Sequence, residues 1–274
     1  MTKHFYAKQI VQVFIFCLSA LLINAQTTVF NYTGSIQTYT VPAGVTSISI
    51  EARGAQGGSS TIALGGRGAV MKGDFVVTPG QVIRVLVGQQ APTIASGSFV
   101  GGGGGGGTFV VNQSNNQPLV VAGGGGGAAG QCCGVVHGGV NAVVTINGTA
   151  GINQSGGTGA GGVNGNGGGA ATQGQNSGAG GGFFTDGANG AGGATGGKAY
   201  VNSGAGGLNA GSNNGGYGGG GGSHYGAGGG GGGYRGVGVA GGGGEWGGGG
   251  GVGCRQNLKN QKKKPGGEGG EWDV

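Results

Sequence analysis

Few residues of this 274-residue chain have the types and spacing that chemistry needs. Cys132, Cys133 and His137 come nearest to a metal site. A fourth ligand is missing and the spacing fits no usual zinc pattern, so the segment reads as a loop carrying two thiols. Gly192 to Lys198, GGATGGK, almost spells a phosphate loop. Ala199 stands where magnesium requires Ser or Thr, and no strand–helix frame surrounds it. The seven acids are dispersed, so neither a calcium repeat nor a pair of carboxylates is visible. No Ser–His–Asp grouping can be assembled. These residues point away from an enzyme and imply no cofactor and no metal. Cys132 can pair with Cys254, which leaves Cys133 over; a bond between adjacent Cys132 and Cys133 is strained. Asn31, Asn112, Asn147 and Asn153 each begin a glycan sequon, which has meaning only in a host that reads it.

The composition narrows the class further. Glycine supplies 84 of the 274 residues. Collagen reaches that fraction with a three-residue period and abundant proline, and this chain has neither. Disordered chains are charge-rich, whereas only 7% of these residues are charged. The first 25 residues read as a signal peptide: Lys3, His4 and Lys8, then an apolar stretch over Val11 to Ile23, then small Ala25 before Gln26. The alternative is an uncleaved anchor, for which the apolar run is short. Cleavage removes Lys3 and Lys8 and takes the net charge from +6 to +4. No later segment is apolar enough to span a membrane, so the mature chain is expected to be secreted or held at a cell surface. Five of its cations crowd into residues 254–274, and the remainder offers no basic patch for nucleic acid.

Residues 26–122 carry strand patterning. Ile36 to Val41 is rich in β-branched and aromatic residues. Thr46 to Ala52 alternates, with Ile48, Ile50 and Ala52 on one face. Ala69 to Val77, Val82 to Val87, Thr108 to Val111 and Leu119 to Ala122 follow, separated by turn residues such as Thr78-Pro79-Gly80. No segment has a helical period. The fold class is all-β, a sandwich or jelly roll.

Seven glycines, Gly101 to Gly107, run directly into Thr108-Phe109-Val110-Val111, and five more, Gly123 to Gly127, follow Leu119 to Ala122. A linker needs no strands bracketing its glycines. Over residues 123–253 large apolar residues are scattered singly between further runs. Polyglycine can adopt an extended helix of three residues per turn, rising ~3.1 Å per residue, whose N–H and C=O groups point outward to neighbours. A bundle of such helices satisfies the backbone, and only glycine admits neighbours that close. Gly101, Gly104, Gly107, Gly123, Gly127, Gly218, Gly222, Gly228 and Gly233 are therefore expected to be packing positions. Residues 254–274 form a basic tail, solvated, truncated or frameshifted.

Four blocks carry a resemblance: SIEARGAQGG from Ser49 to Gly58, VLVGQQ from Val85 to Gln90, the strand-bracketed glycine runs, and GGYGGGGGSHYGAGGGGGGYRG from Gly215 to Gly236. In order and spacing the chain resembles the extracellular glycine-rich domain of the anaplastic lymphoma kinase and leukocyte tyrosine kinase receptors over roughly residues 30–236. The resemblance implies a jelly-roll sandwich like that of tumour-necrosis-factor domains, with an inserted bundle of polyglycine-II helices. It also implies a region that takes part in binding a protein ligand. The kinase motifs are absent, and the closing strand and cysteine-rich module of the receptors are replaced by the basic tail. Similar domains occur in exported bacterial proteins.

The expected function is a non-catalytic, secreted or surface-exposed recognition or adhesion module for a protein or glycan ligand. Its contacts are expected at the tips of the bundle: His137, Phe183, Phe184, His224 and Tyr225. A structural matrix or coat protein that self-associates through its glycine bundles is the alternative.

Overall fold

The computed structural model describes residues 26–60, 63–94, 101–130, 138–144, 148–151, 157–169, 177–190, 193–209, 213–224, 229–234, 240–241 and 254–255. Met1–Phe30 and Asn31–Val274 are separate compact units, and the description below concerns the second.

The strands lie where β-branched and aromatic residues gather: β1 (Gln37–Thr40), β2 (Ser47–Arg53), β3 (Val70–Val76), β4 (Val82–Leu86), β5 (Thr108–Asn112) and β6 (Gln117–Ala122). The two-residue strands β7 (Gly157–Thr158), β8 (Ala240–Gly241) and β9 (Cys254–Arg255) follow. Every ladder is antiparallel, and helix among the described residues is limited to a 3₁₀ turn at Tyr200–Asn202. The chain is thus all-β in character. One sheet has the order β1-β4-β5-β6-β9; β2 pairs with β3, and β7 with β8. The first two residues of the basic tail therefore lie beside Val120 and Val121 of β6.

β2 alternates because one of its faces meets solvent, and its pattern runs from exposed Ser47 to buried Ala52. β5 and β6 do not alternate: Thr108 to Val111 and Leu119 to Ala122 are buried without a break. Unbroken burial requires cover on both faces. β2 and β3 pack against β5 and β6. A second cluster joins Leu86, Phe109, Val111 and Val121 to Phe183 and Tyr200, which come from the glycine-rich part of the chain. The central strands are thus the shared wall between two cores.

The glycine segments leave the ends of these strands and enter a backbone network. Gly102 and Gly105 donate to Ala128 and Gly125, at 2.8 Å each. Gly104 and Gly107 donate to Gly221 and Gly218, at 2.9 Å each. The carbonyls of Gly103 and Gly106 accept from Gly58 and Ala55, and those of Gly102 and Gly105 accept from Gly229 and Gly232. The same neighbour returns at every third residue. Segment 123–128 repeats the pattern, with Gly124 and Gly127 donating to Gly232 and Gly229, and Gly125 and Ala128 to Ala55 and Gly58. Buried backbone groups are costly unless paired, and these pair with several different segments.

No side chain fits between the segments. A Cβ on Gly104 would overlap the Gly230 carbonyl, one on Gly127 the Gly102 carbonyl, and one on Gly222 the Leu208 carbonyl. The packing positions Gly101, Gly104, Gly107, Gly123, Gly127, Gly218, Gly222 and Gly233 are all buried. Gly228 lies outside the described residues.

Two side chains tie strands to network. Thr108 Oγ1 donates to the Arg53 carbonyl (2.6 Å) and accepts from Gly88 N–H (3.0 Å), where β2 and β4 end and β5 begins. Gln89 explains the VLVGQQ block: its N–H donates to the Tyr217 carbonyl (2.8 Å), its side-chain oxygen accepts from Tyr217 N–H (3.2 Å), and its carbonyl accepts from Gly106 (3.0 Å). One residue thereby fixes the run at 101–107 to the turn at 217–219.

Candidate recognition surface

The loop Phe183–Asp186 is built on a tight turn. Val163-Asn164-Gly165-Asn166 closes with Asn166 N–H donating to the Val163 carbonyl (3.0 Å). Asn164 and Gly165 both take positive φ, 53° and 82°, the pairing that Asn-Gly adopts most readily. The Gly165 carbonyl accepts from Phe183 and Phe184 N–H groups (2.8 and 2.9 Å). The Phe184 ring lies against Gly165, where a Cβ would strike it.

Sequence reasoning placed both phenylalanines at a contact tip, and the structure separates them. Phe183 is fully buried. Its ring stacks on Tyr200 (centroids 5.0 Å, 15° between planes) and approaches Phe109 at 6.3 Å. It is a core residue, not a contact, because the apolar face of the five-stranded sheet needs cover. Phe184 is 46% exposed and meets Phe183 edge-on at 4.9 Å and Tyr234 at 6.5 Å. Val163 and Val201 are exposed to a similar degree, and the Val201 N–H donates to the Phe183 carbonyl. Phe184 is thus a half-exposed ring carried on a buried aromatic stack.

Asp186 fixes the loop from its polar side. One carboxylate oxygen accepts from Lys198 Nζ (2.8 Å), the other from Ala199 N–H (2.8 Å) and Asn202 Nδ2 (2.9 Å). Burial pushes this carboxyl up, but the three donors outweigh it and hold it below the usual carboxylate range. Asp186 is therefore an anionic pin between the loop and the 3₁₀ turn.

His224, expected as a tip contact, is also buried. Its N–H donates to Ser177 Oγ (3.0 Å), and burial lowers the imidazole pKa. The position serves packing because residues 213–224 thread between neighbouring glycine segments. His137 and Tyr225 lie outside the described residues, as does Cys132, so the pairing of Cys132 with Cys254 falls outside them too.

Sequence reasoning missed Tyr200, Tyr217 and Arg84. Burial raises the Tyr200 phenol pKa, with the nearby Arg84 guanidinium opposing; burial, aided by Tyr32, raises that of Tyr217. The Tyr200 hydroxyl and Arg84 Nε are buried without partners among the described residues. Tyr217 stands alone among glycines and Tyr200 in the short segment Lys198 to Ser203, so neither belongs to a periodic pattern that would mark it.

Among the described residues no three His, Cys, Asp or Glu side chains gather as a metal site would require, and no helix is long and apolar enough to cross a membrane. Compared with known proteins, the chain matches no family model, and no curated protein matches it.

Proposed function

We propose that this chain is a non-catalytic, exported recognition module in which a rigid glycine bundle presents loops to a protein or glycan ligand at a surface. The glycine segments are polyglycine-II helices inserted in a jelly-roll sandwich, in the manner of the glycine-rich receptor domains it resembles. The support for the helices is the three-residue recurrence of hydrogen-bond partners, which matches a helix of three residues per turn. Signal-peptide removal before Gln26 delivers the module to the cell surface or the medium.

The observation that carries the reading is the Phe183–Phe184 pair. One ring is locked in the core, and the next is held half-exposed beside Tyr234. Exposed apolar groups on a rigid base bind with little loss of conformational freedom.

The test uses the exported full chain, first checked by intact mass for an N-terminus at Gln26. Binding to intact cells and to a glycan array is compared with that of Phe184→Ser. Saturable binding that falls at least tenfold in Phe184→Ser, with an unchanged melting temperature, supports the reading. No binding, with concentration-dependent assembly instead, transfers it to a matrix protein.

A further inference from the structure

At the end of the five-stranded sheet remote from the glycine runs, an open pocket lies between two turns. It is lined by Thr78, Gly80, Gln81, Asn112, Gln113 and Ser114, with Val82 at its base. One wall is the Thr78-Pro79-Gly80-Gln81 turn, closed by Gln81 N–H to the Thr78 carbonyl (3.0 Å) with Gly80 at φ 80°. This is the type II turn that Pro-Gly favours. The other wall is the β5–β6 hairpin, whose residues Asn112 to Gln117 are all amides or hydroxyls. Gln113 N–H donates to the Val82 carbonyl (3.0 Å) and joins the walls.

Two amides of the pocket wall, Gln81 and Asn112, and two beyond it on the hairpin, Asn115 and Asn116, share one polarity. Gln81 Oε1 accepts from Thr78 N–H (3.1 Å), Asn112 Oδ1 from Ser114 N–H (3.1 Å) and Oγ (3.0 Å), and Asn115 Oδ1 from Gln117 N–H (3.0 Å). Asn116 Oδ1 accepts from Arg84 Nη2 (3.2 Å). A backbone N–H or a guanidinium can only donate, so each oxygen must face the protein. The four NH₂ groups then point away from these contacts, and none donates to an acceptor among the described residues. The hairpin thus gathers uncharged donors, with the Arg84 guanidinium behind them.

We propose that this amide-lined pocket binds carbohydrate through the hydroxyl or carboxylate oxygens of a polysaccharide. Such oxygens accept from neutral amide donors without a counter-charge. A peptide strand, by contrast, requires alternating donors and acceptors. The proposal rests on the recognition reading and gives it a ligand class and a second site, distinct from the Phe184 surface.

The experiment titrates the exported full chain with mannan and xylan as neutral probes and with alginate as an acidic one. Gln81→Glu/Asn112→Asp retains both inward oxygens and replaces two outward donors by acceptors. Binding to mannan or xylan is expected to weaken about 5- to 150-fold through the loss of two hydrogen bonds. Its melting temperature should not change, and Glu51→Gln on the distant β2 should bind as the parent does. Arg84→Gln weakens alginate binding more strongly than mannan or xylan binding, because only the acidic ligand also loses a charge partner. Binding retained in the double variant overturns the proposal, as does absence of binding to all three polysaccharides. The recognition reading fails separately, through loss of binding to intact cells.

Discussion

Substitution of Gly104 by alanine adds a single carbon at a crowded point of the network. That carbon overlaps the Gly230 carbonyl, so segment 229–233 must withdraw. The segment is held by Gly229 to Gly102 (2.9 Å), Gly232 to Gly105 (3.0 Å), Gly124 to Gly232 (2.7 Å) and Gly127 to Gly229 (2.9 Å). Breaking these four bonds costs about 2–6 kcal/mol at ~0.5–1.5 kcal/mol each. That is a large part of the ~5–15 kcal/mol that holds a domain together. The control is Gly44→Ala. Gly44 has φ 81° but nothing near a new Cβ, so only the left-handed conformation is penalised, at about 1–2 kcal/mol. Thermal unfolding followed by circular dichroism should show Gly104→Ala melting about 10 °C lower, taking ~2–4 °C per kcal/mol for a chain of this size. Gly104→Val should not fold. Equal melting temperatures for Gly104→Ala and the parent would refute the packing account and restore the linker reading.

Other consequences follow from the same contacts. Thr108→Val keeps the shape but strands the Arg53 carbonyl and Gly88 N–H, and should cost about 2 kcal/mol in denaturant unfolding. Phe183→Ala should cost about 3–5 kcal/mol as a buried aromatic truncation, whereas Phe184→Ser should leave stability nearly unchanged. Burial lowers the His224 pKa below its unfolded value, so the unfolded chain binds the proton first as pH falls through about 6.5. Stability should therefore be lower at pH 5 than at pH 7.5, and His224→Asn should flatten that difference. Asp186 is held low, so its contribution is present above the unfolded pKa of 3.8 and is lost as pH falls further; Asp186→Asn should remove it and raise protease cleavage near 184–186.

The strands were legible because their signals are local. Ile48, Ile50 and Ala52 share a face by period alone, and the unbroken runs at 108–111 and 119–122 announce cover on both sides. The glycine runs were legible as packing only through those flanking strands. Partners were not legible, because glycine has no side chain to mark a face. Nothing in the chain says that Gly104 lies against Gly230. Phe183 and Phe184 are identical neighbours, and their opposite fates depend on Gly165 and Tyr200, which meet them only in three dimensions. The amide hairpin stood in the sequence as a polar turn. Its meaning depends on which way four amide oxygens face: local turn donors set three of them, and Arg84, 32 residues away, sets that of Asn116.

The central claim, that the glycine runs are ordered packing elements, is tested most directly by amide hydrogen exchange across residues 101–107 and 123–127. The hydrogen bonds from Gly102, Gly104, Gly105 and Gly107 predict slow exchange, comparable to that of β5 and β6. Exchange there as rapid as in an unstructured peptide would contradict the account.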